Sequence, residues 1–153
     1  MKKVLISACL IGDKVRYDGK NNLIPNIDVL MEYFELVPFC PEVEGGLPIP
    51  RKPSEIRHTH VYNIEGHDVT KNFVIGAQKA LNICKYLDIK LAILKEDSPS
   101  CGVTKIHSGL FDGRKKAGQG VTTTLLKRHG IEVISEKDVP ALLEKLQNKK
   151  DVS

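Results

Sequence analysis

At 153 residues the chain fits one domain, long enough to bury most of the surface its unfolded form exposes. A hydrophobic share of 41% and a charged share of 27% exclude a disordered, collagen-like or membrane-spanning composition. The formal net charge of +4 at pH 7 includes a terminal Lys149-Lys150 pair, there is no Trp, and no basic run alternates with aromatics, so neither nucleic acid nor a membrane is expected as partner.

The chain opens with Lys2 and Lys3 before the apolar stretch Val4 to Ala8 and then Cys9, an arrangement that mimics a lipoprotein cleavage site. That stretch holds five residues, whereas an exported leader carries an apolar region of roughly seven to fifteen. It reads instead as a buried first strand, Lys3 to Ala8, which places the protein in the cytoplasm with its thiols reduced. A helix with Ile27, Leu30, Met31 and Phe34 on its apolar face follows, with Pro25 near its start, where a missing N-H costs least.

The second strand is Glu35 to Phe39. After it, a long Gly- and Pro-rich connection runs from Cys40 to Asp68, and Tyr62, Ile64 and Val69 flank Glu65-Gly66 like a small hairpin. A helix from about Thr70 to Leu87 carries Phe73, Ala77, Ala80, Leu81 and Cys84 in one stripe, and the third strand is Lys90 to Leu94. A helix opens near Gly120 and stops at Gly130, before the fourth strand, Ile131 to Ile134, and a last helix bearing Val139, Leu142, Leu143 and Leu146. Near-continuous apolar strands alternating with helical patterns predict an α/β fold: one Rossmann-like, three-layer domain over residues 1–147, with a short parallel sheet and a long insertion after the second strand. Residues 148–153 read as a flexible C-terminal tail.

In such a sheet, ligands bind beyond the carboxyl ends of the strands. Cys9 follows the first strand, Cys40 the second, and Cys101 lies in the loop after the third, so three thiols can meet at one edge. Cys84 sits on an apolar helix stripe and reads as a small core hydrophobe. Three soft donors in a reducing compartment point to an iron-sulfur cluster or zinc, or else the thiols are buried separately. Structural zinc favours paired cysteines a few residues apart and four protein ligands; here a fourth would have to come from His58, His60 or His67.

Other groups crowd the same edge. Glu42 and Glu44 follow Cys40, where a carboxylate can act as general base toward water. Ser98 and Ser100 precede Cys101 and can donate hydrogen bonds to developing charge. Arg51 is a candidate to hold an anionic or carbonyl-bearing ligand, as is the helix start at Gly118-Gln119-Gly120 with its free N-H groups.

At these residues the sequence resembles the thiouracil desulfurase family of bacterial proteins. The likeness is carried by Ser7-Ala8-Cys9-Leu10, Val15-Arg16-Tyr17-Asp18-Gly19, Val37-Pro38-Phe39-Cys40-Pro41-Glu42-Val43, Gly45-Gly46-Leu47 and Pro50-Arg51. It continues through Gly66-His67-Asp68-Val69-Thr70, Leu94-Lys95-Glu96-Asp97-Ser98-Pro99-Ser100-Cys101-Gly102 and Gly118-Gln119-Gly120-Val121-Thr122. The resemblance implies that Cys9, Cys40 and Cys101 bind a [4Fe-4S] cluster by three irons and leave the fourth for the sulfur of a small thiolated pyrimidine such as 2-thiouracil. It further implies a non-redox replacement of that sulfur by water, with Glu42 activating the water and Ser100 stabilising or protonating the intermediate; Glu44 and Ser98 remain the neighbouring candidates for those two roles. The alternative function is a non-enzymatic metal- or cluster-binding module, with zinc or an iron-sulfur centre as staple or sensor. Thiol redox catalysis is disfavoured, because no Cys-x-x-Cys pair occurs.

Overall fold

The computed structural model describes residues 1–152, with side chains through Lys149. Strand β1 (Lys2–Ser7) forms where Val4, Leu5 and Ile6 give an apolar run, and each of these is 1% exposed or less because both sheet faces are covered. It pairs in parallel with β2 (Phe34–Phe39), in register from Lys2 opposite Phe34 to Ser7 opposite Phe39. On its other edge β1 meets β5 (Leu91–Leu94), and β8 (Glu132–Ser135) completes a four-stranded parallel sheet of order β2-β1-β5-β8. The fold is therefore mixed α/β around a short parallel sheet.

Two cores form on opposite faces. Leu5, Phe39 and Leu94 pack against Ala80, Leu81 and Cys84 of α3 (Thr70–Tyr86) and Leu126 of α4 (Val121–Arg128). Val4, Ile6 and Ile93 point the other way, toward Leu30 of α1 (Ile27–Tyr33) and Val139 and Leu143 of α5 (Val139–Val152). The stripe expected on α3 is buried throughout, with Phe73, Ala77, Ala80, Leu81 and Cys84 each 2% exposed or less. Gly130 ends the α4 turn at φ +78°, a left-handed conformation that glycine adopts without strain.

The structure departs from the sequence reading at the first helix and adds to it in the insertion and near the C-terminus. The first helix is shorter than its apolar face suggested: Phe34 is extended and opens β2, and Met31 is 55% exposed, leaving Leu30 as its buried residue. Pairing with β1 overrides local helical preference there. In the insertion, the hairpin ladder lies upstream of Glu65-Gly66, between β3 (Ser54–Arg57) and β4 (His60–Asn63), turning at His58 with φ 57°. Glu65-Gly66 forms a second tight turn, closed by one bridge between Tyr62 and Asp68. A further hairpin, β6 (Lys105–His107) with β7 (Lys115–Ala117), has strands too short to leave a periodic signal. Helix α5 extends through Asn148 to Val152, into the stretch expected as a tail, and Ser153 lies outside the described residues. No helix among the described residues is long and apolar enough to cross a membrane.

Candidate active site

The connection from β1 leads to β2 on one side, and the chain then crosses back to β5 on the other, so the strand order reverses between β1 and β5. At this switch point the two strand ends are tied together, the backbone N-H of Lys95 donating to Ser7 Oγ at 2.9 Å. Cys9 lies in a 3-10 turn (Ala8–Ile11) leaving β1, and Cys40 caps the short helix α2 (Pro41–Glu44) directly after β2. Cys101 lies in the loop after β5, and all three line one cavity of about 550 Å³. Cys84 does not reach it.

None of the four cysteines is in a disulfide. Burial raises the thiol pKa of Cys9, partly offset by a hydrogen bond from the Asn22 side chain, and burial likewise raises that of Cys40. Burial pushes the Cys101 thiol up to about 12, against the pull of hydrogen bonds from Ser7 and Ser100, and Cys9 and Cys40 are close enough to add to the rise. Burial thus favours the neutral thiol at each of the three sulfurs.

The loop bearing Cys101 is fixed from two sides. Glu96, 3% exposed, turns its Oε1 to the backbone N-H groups of Val103, Thr104 and Lys105 at 2.7, 2.8 and 3.1 Å, while Thr104 Oγ1 donates to Oε2 at 2.9 Å. Burial alone would raise the pKa of this carboxyl, but the N-H groups of Lys105, Thr104 and Val103 outweigh it and lower it to about 2. From the other side α4 presents its first-turn N-H groups: Val121 donates to the Pro99 carbonyl and Thr122 to that of Ser100, both at 2.9 Å. Thr123 Oγ1 adds a bond to the Cys101 carbonyl at 2.9 Å. The free N-H groups expected to hold a ligand thus hold the cysteine loop instead. The contact is so close that a Cβ on Gly120 would stand 2.4 Å from the Ser100 carbonyl carbon, which is why a glycine opens this helix.

Glu42 sits on α2, whose first residue packs against α3 so tightly that a Cβ on Gly76 would lie 1.9 Å from the Pro41 carbonyl oxygen. Arg51 Nε donates to Glu42 Oε1 at 3.1 Å, and the same guanidinium caps the carbonyls of Pro48 and Val15 at 3.2 and 2.9 Å. Its side chain is 6% exposed and lines the same cavity, where Arg51 orients Glu42. The other oxygen, Oε2, accepts the Ser100 hydroxyl at 2.9 Å, and Ser100 Oγ also stands 3.6 Å from Cys101 Sγ. Of the two carboxylates weighed, Glu44 is exposed and off the cavity wall. His58, His60 and His67 are exposed and off the wall too.

Sequence reasoning missed the roof. Glu55, 8% exposed, accepts the N-H groups of Gly109 and Phe111 at 2.9 and 3.1 Å, and Arg57 binds the Gly109 carbonyl, so the β6–β7 loop is stitched to β3. Lys115 pairs with Asp97 at 2.9 Å across the opening, and His107 joins the wall. The partners lie more than fifty residues apart in the chain, so the sequence carries no local signal for this contact.

The donor set suits an iron-sulfur cluster: three unpaired soft thiols spread around one cavity, with N-H and O-H donors beside them. Among the described residues, no three His, Cys, Asp or Glu side chains converge tightly enough to chelate a single ion. A family model described as 2-thiouracil desulfurase matches residues 4–138. The chain is 38% identical over 150 residues to the uncharacterized protein YbbK of Bacillus subtilis (strain 168), covering 92% of this chain and 99% of that protein. It also matches the solved structure of a [4Fe-4S]-dependent thiouracil desulfidase, TudS, with 46% identity and a TM-score of 0.89 over 96% of this chain and 99% of the other.

Proposed function

The chain belongs to the 2-thiouracil desulfurase family, and we propose that it hydrolyses the carbon-sulfur bond of a small thiolated pyrimidine such as 2-thiouracil. The observation that carries this reading is one cavity in which Cys9, Cys40 and Cys101 meet a carboxylate hydrogen-bonded to a serine. Held by these three cysteines, a [4Fe-4S] cluster would supply an open iron as Lewis acid and sulfur acceptor. In the reaction the C–S bond breaks, a C–O bond forms, and the two protons of water leave with the sulfur as hydrogen sulfide, so no electrons are transferred.

The protein's own groups divide the remaining work. Glu42, fixed by Arg51 through Oε1, is the base that takes a proton from water. Ser100, 2% exposed, is the donor to charge that builds on the substrate. Ser7 directs a hydroxyl at Cys101, which would stabilise its thiolate, while Ser100 Oγ stands 3.6 Å from the same sulfur. The β6–β7 loop, pinned to β3 by Glu55, walls the cavity of about 550 Å³ that cluster and substrate would share. The reading takes residues 1–147 as one Rossmann-like, three-layer domain of the cytoplasm, supported by the parallel sheet and the core on each of its faces.

The test is anaerobic reconstitution followed by sulfide release from 2-thiouracil. Release by the parent that is lost in Cys9→Ala, Cys40→Ala and Cys101→Ala supports the reading; iron bound without release from any thiolated pyrimidine turns it toward the non-enzymatic staple or sensor.

A further inference from the structure

We propose that Ser98 is a positioning residue that fixes which way the Ser100 hydroxyl points, making Ser100 a donor toward Glu42 and the cavity. The inference rests on the desulfurase reading for its catalytic consequence, though not for its geometry. Ser98 and Ser100 lie 2.9 Å apart, Oγ to Oγ, and on distance alone either can be the donor. The backbone decides between them. The N-H groups of Ser100 and Cys101 both donate to Ser98 Oγ, each at 3.1 Å. A hydroxyl oxygen has two lone pairs and one proton, so Ser98 can accept nothing more. Its proton has Ser100 Oγ as its acceptor among the described residues.

Ser100 must then accept from Ser98, and its own proton is left for Glu42 Oε2 at 2.9 Å or Cys101 Sγ at 3.6 Å. Glu42 cannot turn away, because Arg51 holds its other oxygen. The result is a one-way chain, Ser98 to Ser100 to Glu42, anchored at one end by two peptide N-H groups and at the other by a guanidinium. A hydroxyl that accepts a hydrogen bond is a stronger donor, so Ser98 both aims and polarises Ser100. When Glu42 takes a proton from water it ceases to attract the Ser100 proton; it can donate to the remaining lone pair of Ser100 while Ser100 releases its own proton to the substrate. One proton enters the serine as one leaves.

The experiment is a double-mutant cycle on the reconstituted full chain, read as kcat, KM, iron content and thermal midpoint. Ser98→Ala is expected to lower kcat by about tenfold with KM and iron content within about twofold, Ser98→Thr to recover most of the loss, and Ser98→Ala to cost less than about twofold in a Ser100→Ala background. An equal loss in both backgrounds, or a loss that follows iron content, makes Ser98 a loop brace and overturns the proposal. If the parent releases no sulfide, the desulfurase reading fails first, and a neutron structure still decides the geometry: the Ser98 deuteron belongs on the line to Ser100 Oγ, and finding the Ser100 deuteron on Ser98 overturns it.

Discussion

The last turn of α3 and the loop after β5 each bury a cysteine in the same core. Cys84 is 1% exposed and Cys101 4% exposed, and burial pushes their thiols up to about 11 and about 12. By those measures they are twins. What differs is the company: desolvation alone acts on Cys84, whereas Cys101 also meets the hydroxyls of Ser7 and Ser100 and lies near Cys9 and Cys40. A raised thiol pKa therefore marks burial, and function is marked by donors aimed at the sulfur and by other thiols facing the same space.

Replacing each twin sharpens that contrast most. Cys101→Ala should abolish iron loading and lower sulfide release by more than about a thousandfold, because it removes one of the only three thiols that line the cavity. Next is the brace under the loop. Glu96→Gln removes the ionised acceptor of three N-H groups and should cost roughly 3 kcal/mol in urea unfolding at neutral pH, the linkage equivalent of a pKa lowered from 4.5 to about 2. Because the folded-state value is the lower one, this contribution is present above the ordinary carboxylate range and is lost as pH falls toward 2. Acid unfolding of Glu96→Gln should accordingly be shallower than that of the parent; identical acid profiles would remove Glu96 from the account.

A smaller effect is expected at the seam between that loop and α4. Gly120→Ala places a methyl against the Ser100 and Cys101 backbone and should destabilise by about 2 kcal/mol while raising KM or lowering iron content, since the atoms displaced belong to the site. Smallest is Cys84→Ala, a loss of about 1 kcal/mol from a small cavity with sulfide release within about twofold of the parent. Iron loss in Cys84→Ala equal to that in Cys101→Ala would break the comparison outright.

Much of this arrangement was legible in the sequence because strand ends are easy to place. Val4 to Ile6, Val37 to Phe39 and Leu91 to Leu94 are apolar runs, and the residues just past them fall at one sheet edge in any parallel α/β fold. Cys9, Cys40 and Cys101 could thus be grouped before any coordinates, and their cluster-binding role is the proposal built on that grouping. Hidden from the sequence was the destination of polar groups. Arg51 and the α4 N-terminus have the chemistry of ligand binders, yet Glu42 and the Pro99 and Ser100 carbonyls occupy them, through pairings that no periodic pattern reveals. Likewise the turn at Glu65-Gly66 forms with its bridge between Tyr62 and Asp68, but the longer ladder of β3 with β4 just upstream of it had no separate signal in the sequence.

In the proposed mechanism three thiols of this chain hold a cluster with one iron open to substrate. Mössbauer spectroscopy of the protein reconstituted with iron-57, with and without 2-thiouracil, tests it most directly. One iron in four should differ from the rest and shift when thiouracil is added, and Cys101→Ala should give no cluster spectrum. Four equivalent irons, or a spectrum that thiouracil leaves unchanged, would contradict it.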